Sequence, residues 1–129
     1  MQYQFHTLSN GIRIVHRHSG RLVAHLSVMV NTGSRDELPG EEGLAHFIEH
    51  VIFKGTGKRK VHQVLGRLEN IGADLNAYTT KEETCIHASF LSSHYPRAID
   101  LFADILFNST FPDKEIDREK DVVLDEINS

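Results

Sequence analysis

Apolar and polar positions alternate with a period of two over residues 23–30: Val, His, Ser and Met fall on one side and Ala, Leu, Val and Val on the other. That is the pattern of a strand with one strongly apolar face. Residues 3–8 and 12–16 are β-prone runs around Ser9-Asn10-Gly11, and Asn-Gly between such runs predicts a hairpin. Residues 75–80 and 84–91 read as two neighbouring strands around Lys81-Glu82-Glu83. The period changes elsewhere. Between 41 and 53, Leu44, Phe47, Ile48, Val51 and Ile52 recur at helical spacing, after a polar loop broken by Pro39-Gly40 and with Glu41 and Glu42 at the positive end of the helix. Lys54-Gly55-Thr56-Gly57 interrupts, and Val61, Val64, Leu65, Leu68 and Ile71 form a second stripe stopped by Gly72. Ser93, with Pro96 just inside, starts a third helix carrying Tyr95, Ala98, Ile99, Phe102, Ile105 and Leu106, and residues 108–110 close it. Pro112-Asp113 opens a fourth with Ile116, Val123, Leu124 and Ile127 on its apolar side. No closing signal follows before Ser129, so the domain is expected to be incomplete. Three strands, two helices, two strands and two helices predict an α+β fold, a two-layer sandwich in which a mostly antiparallel sheet is covered by helices on one face.

With 129 residues the chain is one folding unit or part of one, and 40% hydrophobic with 25% charged residues excludes a low-complexity disordered tract. No stretch approaches the roughly 18 apolar residues of a membrane span. Lys and Arg total 14 against 18 Asp and Glu, and a net charge of -4 offers no positive field for nucleic acid. The start, MQYQFHTLSNG, lacks the sections of a secretory signal, which favours the cytoplasm, with the periplasm as the alternative. The single cysteine, Cys85, reads as a packing thiol, and Lys58-Arg59-Lys60 as a solvated helix start.

Nine histidines are the one compositional excess. Seven of them, His6, His16, His18, His25, His62, His87 and His94, read as surface or packing residues. The other two lie in His46-Phe47-Ile48-Glu49-His50. Histidines four apart on a helix project from one face and can share an ion, while Phe47 and Ile48 pack. Glu49 is placed beside that ion, where zinc chemistry needs a carboxylate to move a proton. The string alone is weak evidence, since about one shuffled sequence in twenty of this composition would contain it. A catalytic zinc takes three protein ligands and keeps one position open. The last helix offers Glu115, Glu119 and Glu126 along nearly one side, and spacing does not choose among them.

Three stretches in order, GLAHFIEHVIFKGT, LENIGADLNAYTTKEET and EIDREKDVVLDEI, resemble the M16 metallopeptidases, the pitrilysin, insulinase and mitochondrial processing peptidase group. The arrangement of the first is the inverted zinc motif. The resemblance covers essentially the whole chain and implies the N-terminal portion of a catalytic domain, the rest of that domain and a second homologous domain being absent. It implies zinc as cofactor, His46, His50 and Glu126 as ligands, and Glu49 as general base. Glu119 follows as a second catalytic acid that supports the site without binding the metal. Asn76, Ala77 and Tyr78 match the strand along which family members bind an extended peptide. The expected activity is that of a zinc endopeptidase acting on peptide or unfolded protein. Nucleic acid and a membrane span are not expected. Self-association through uncovered apolar surface and sheet edge is expected, or a second homologous domain or subunit as partner. The alternatives are a non-catalytic M16-like interaction subunit, which would be expected to have lost a ligand or the base, and a fragment inactive on its own. A purely structural metal site would usually be closed by a fourth ligand.

Overall fold

The computed structural model describes residues 2–128. Two short strands, β1 (Tyr3–Thr7) and β2 (Arg13–Arg17), pair antiparallel as a hairpin with Phe5 opposite Val15. The hairpin forms a sheet of its own and every residue of both strands is exposed. Alternation identified the strands but carries no information on their partners. The main sheet has three strands, β3 (Val23–Val30), β4 (Asp74–Thr79) and β5 (Thr84–Leu91), in the order β3-β5-β4, all antiparallel. Strands β4 and β5 are neighbours as their sequence suggests, with Ala77 opposite Ile86.

Four helices follow the predicted order: α1 (Leu44–Val51), α2 (Val61–Glu69), α3 (Tyr95–Asn108) and α4 (Asp113–Asn128). The core lies where α2 and α3 cover one face of the sheet. Val64 and Leu68 of α2 meet Ala98, Leu101, Phe102 and Ile105 of α3 and Ile86, Ala88 and Phe90 of the central strand β5. Ala24, Leu26 and Val28 pack on this core from β3, as the alternation of that strand requires. Cys85 is buried within the sheet, as expected of a packing thiol. Phe53 also packs against the core.

The local signals need three corrections. Helix α1 begins at Leu44, three residues after the expected start, because Gly43 sits at φ +89° and turns the chain into it. Such a backbone favours glycine. Glu41 and Glu42 do not cap the helix; their carboxylates accept from the Leu38 and Gly40 amides in the preceding turn. The first-turn amides are served by Glu37, which accepts from Gly43 N at 3.2 Å and Ala45 N at 2.7 Å, the orphan donors of any helix start. Ser93 is not the cap of α3, since a 3-10 turn over Ser92–His94 runs straight into Tyr95.

The third correction concerns Arg59, which is not solvated. Its side chain is 13% exposed and pairs with Asp104 at 2.6 Å and Asp100 at 2.7 Å on α3. Asp104 also accepts from the Thr56 hydroxyl at 2.7 Å and the Asn108 amide at 3.1 Å. Burial alone would push the Asp104 carboxyl up, but these donors outweigh it and hold it below the usual carboxylate range. The turn after α1 is thereby clamped onto α3, and the chain beyond α3 brings α4 back against α1.

Candidate metal centre

Helix α1 is short and two-sided. Ala45 and Val51 are buried, Phe47 is half-buried, and His46, Glu49 and His50 lie on the side that meets α4 and β4. The helical repeat sets the two imidazoles edge to face, centroids 4.6 Å apart, with their Nε2 atoms 3.1 Å from each other. From α4, a Glu126 oxygen lies 3.5 Å from His50 Nε2 and 4.0 Å from His46 Nε2. Ligand atoms of His46, His50 and Glu126 all fall within 4.8 Å of one another, the one such group among the described residues.

These spacings can be tested against zinc. Ligands about 2.0–2.1 Å from a tetrahedral ion stand roughly 3.3 Å apart, and the separations of 3.1, 3.5 and 4.0 Å bracket that figure. The donor chemistry also fits. His50 Nδ1 lies 3.1 Å from Glu119 Oε2, and the tautomer protonated on Nδ1 would satisfy this contact and offer the Nε2 lone pair to an ion. The His46 and Glu126 side chains are 49% and 50% exposed, so the group faces solvent on one side.

The three glutamates of α4 are sorted by their partners. Glu115 pairs with Arg118 at 3.1 Å and takes no part. Glu119 is 8% exposed, with Oε1 on Lys54 Nζ at 3.0 Å and Oε2 on His50. Glu126 alone faces both Nε2 atoms.

Glu49 accepts from the Thr79 hydroxyl at 2.6 Å, which ties it to β4. Along β4, Leu75, Ala77 and Thr79 face the helices while Asn76 and Tyr78 are exposed. The outer edge of β4 is unpaired among the described strands. The three residues read as a peptide-binding strand therefore lie on a free sheet edge joined to Glu49 through Thr79. Lys54 and Thr79 escaped the reading of the sequence. Their contacts span 65 and 30 positions, and no local spacing announces them. The remaining histidines stand apart from this cluster; His16 meets Gln4 and His25 meets Ser89 on the surface.

Among the described residues no helix is long and apolar enough to cross a membrane. The chain is 42% identical over 95% of its length to an uncharacterized zinc protease, YmxG, of Bacillus subtilis. It is also 42% identical over 93% of its length to the mitochondrial-processing peptidase subunit beta of Rattus norvegicus. It spans 30% and 24% of those two proteins. Its fold superposes on a protease from Helicobacter pylori with a TM-score of 0.93 at 27% identity, over 97% of this chain and 30% of that one. The periplasmic protease PqqL from Escherichia coli matches with a TM-score of 0.90 at 29% identity, over 98% of this chain and 15% of that one. The family profile of the insulinases, peptidase family M16, matches residues 13–129. With two thirds or more of each of these proteins lying outside the match and 117 of its own 129 residues inside the profile, the chain belongs to the M16 insulinase family of peptidases.

Proposed function

We propose that the chain is the metal-holding N-terminal part of an M16 catalytic domain and acts, within the complete protein, as a zinc-dependent endopeptidase on peptides bound in extended form. The observation that carries this reading is the convergence of His46, His50 and Glu126 beside a carboxylate tethered to a free sheet edge.

His46 Nε2, His50 Nε2 and a Glu126 oxygen would hold the ion. Zinc supplies Lewis acidity for the scissile carbonyl and makes water a usable nucleophile near neutral pH. Glu49 accepts the proton of the attacking water and returns it to the leaving amine. Thr79, donating to one Glu49 oxygen, orients that carboxylate. Glu119 holds the His50 ring through Nδ1. The substrate adds to the outer edge of β4 by main-chain hydrogen bonds, with Asn76 and Tyr78 on one side and Ala77 on the other. The remainder of the domain and a second homologous domain or subunit would cover the open side of the cluster, a reading supported by a relative that is itself named as a subunit.

The test is Glu49→Gln in the complete protein. Peptide hydrolysis should be abolished with zinc retained. Loss of zinc would make Glu49 a ligand, and undiminished hydrolysis would remove it as the base.

A further inference from the structure

We propose that Lys54 is a positioning residue for this site: its ammonium fixes the Glu119 carboxylate, which in turn fixes His50 with its Nε2 lone pair toward His46 and Glu126. The inference rests on the zinc reading above and extends it by one residue.

A carboxylate as buried as Glu119 needs partners for both oxygens. It has one on each, Lys54 Nζ at 3.0 Å from Oε1 and His50 Nδ1 at 3.1 Å from Oε2. The terminal torsion of a glutamate is broad and roughly two-fold, so a single hydrogen bond leaves the group free to pivot. The second anchor removes that freedom. Neutral imidazole has two tautomers, and only the form protonated on Nδ1 offers Nε2 as a ligand. An acceptor held still opposite Nδ1 selects that form.

Lys54 is delivered by stiff backbone. Its amide donates to Val51 O at 3.1 Å, closing α1. Gly55, at φ +136°, turns the chain so that its carbonyl accepts from Thr110 N at 3.1 Å just before α4. Gly57 N donates to Asn108 O at 3.1 Å, and Thr56 and Arg59 are anchored on Asp104. The buried Asp104 cluster thus holds the segment from which Lys54 reaches Glu119. The side chain is 23% exposed, so its charge is only partly shared with water.

The test uses Lys54→Met, which keeps the stem and removes the charge, Lys54→Gln as a second neutral variant, and Lys54→Arg as the conservative one. Two quantities are read on folded protein: zinc affinity by chelator competition, and the imidazole nitrogen shifts of His50 in metal-free protein. The neutral variants should bind zinc about tenfold more weakly, at the low end of the range for residues outside the ligand set. Their His50 signals should report mixed tautomers, and Lys54→Arg should restore both readouts. A neutral variant with unchanged affinity and an undisturbed Nδ1-protonated His50 overturns the proposal while leaving the zinc site intact. A wild-type chain that takes up no zinc overturns the zinc reading instead, and the tautomer comparison then decides by itself whether Lys54 orders His50.

Discussion

Two polar clusters lie on either side of the turn after α1, and they end in opposite states. Asp104 is 2% exposed and accepts from a hydroxyl, a guanidinium and an amide, so its lone pairs are filled by the protein. The His46 and Glu126 side chains are about half exposed, and the two Nε2 atoms turn toward each other at 3.1 Å. The first cluster ties elements of the fold together, whereas the second gathers three ligand-type atoms within 4.8 Å of one another, the arrangement on which the proposed metal site rests. Both are made of ordinary charged side chains. The difference lies in burial and in the chemistry of the atoms that converge.

That contrast can be broken by removing one member from each side. His46→Ala should weaken zinc binding by more than about 100-fold, beyond the range for residues outside the ligand set, and change stability of the metal-free chain by no more than about 0.5 kcal/mol. Asp104→Ala should act mainly on stability, with zinc binding weakened by no more than the roughly tenfold expected when the Lys54 anchor is lost. It leaves Arg59 buried with Asp100 as its remaining partner, and about 3 kcal/mol of stability should be lost, the low end for a broken buried pair. Chelator competition and thermal unfolding, run on both variants, give the two columns of the comparison; equal effects in either column would erase the distinction.

A finer probe separates holding the metal from moving the proton. Thr79→Val should slow peptide cleavage by the complete protein about tenfold while zinc affinity stays unchanged, since Thr79 touches Glu49 and no ligand. A parallel fall in both would place Thr79 in the metal site.

The smallest effect is on acid stability. The folded Asp104 carboxyl lies below its ordinary value, so its contribution is fully present above the unfolded value of about 3.9 and is lost as pH falls through the folded one. Asp100 is also held down, chiefly by Arg59, but its side chain is 49% exposed and solvent screens the pair. Urea unfolding below about pH 4 should therefore show a shallower loss of stability in Asp104→Asn than in wild type; parallel curves would contradict the role given to Asp104.

The legible parts of the fold are those where one-sided burial imposes a period. Strands β3 and β5 and helices α2 and α3 lie within a residue or two of their patterns because each has one face on the same core. The cap of α1 was hidden because Glu37 reaches it across a loop, eight residues before Ala45. The Asp104 cluster was hidden because Arg59 meets it from 45 positions away, and a basic run looks solvated when its partners are elsewhere. At the site, His46, Glu49 and His50 are local and could be read from spacing. Spacing leaves Glu115, Glu119 and Glu126 open; the family resemblance points to Glu126, and the lie of α4 against α1 turns that carboxylate toward both Nε2 atoms.

Zinc content by plasma mass spectrometry, after chelation and zinc titration, on wild type, Glu126→Ala and Glu119→Ala side by side decides which glutamate joins His46 and His50. Wild type should hold close to one zinc per chain, Glu126→Ala should lose it, and Glu119→Ala should bind it more weakly. Zinc kept by Glu126→Ala and lost by Glu119→Ala would make Glu119 the third ligand and contradict the assignment.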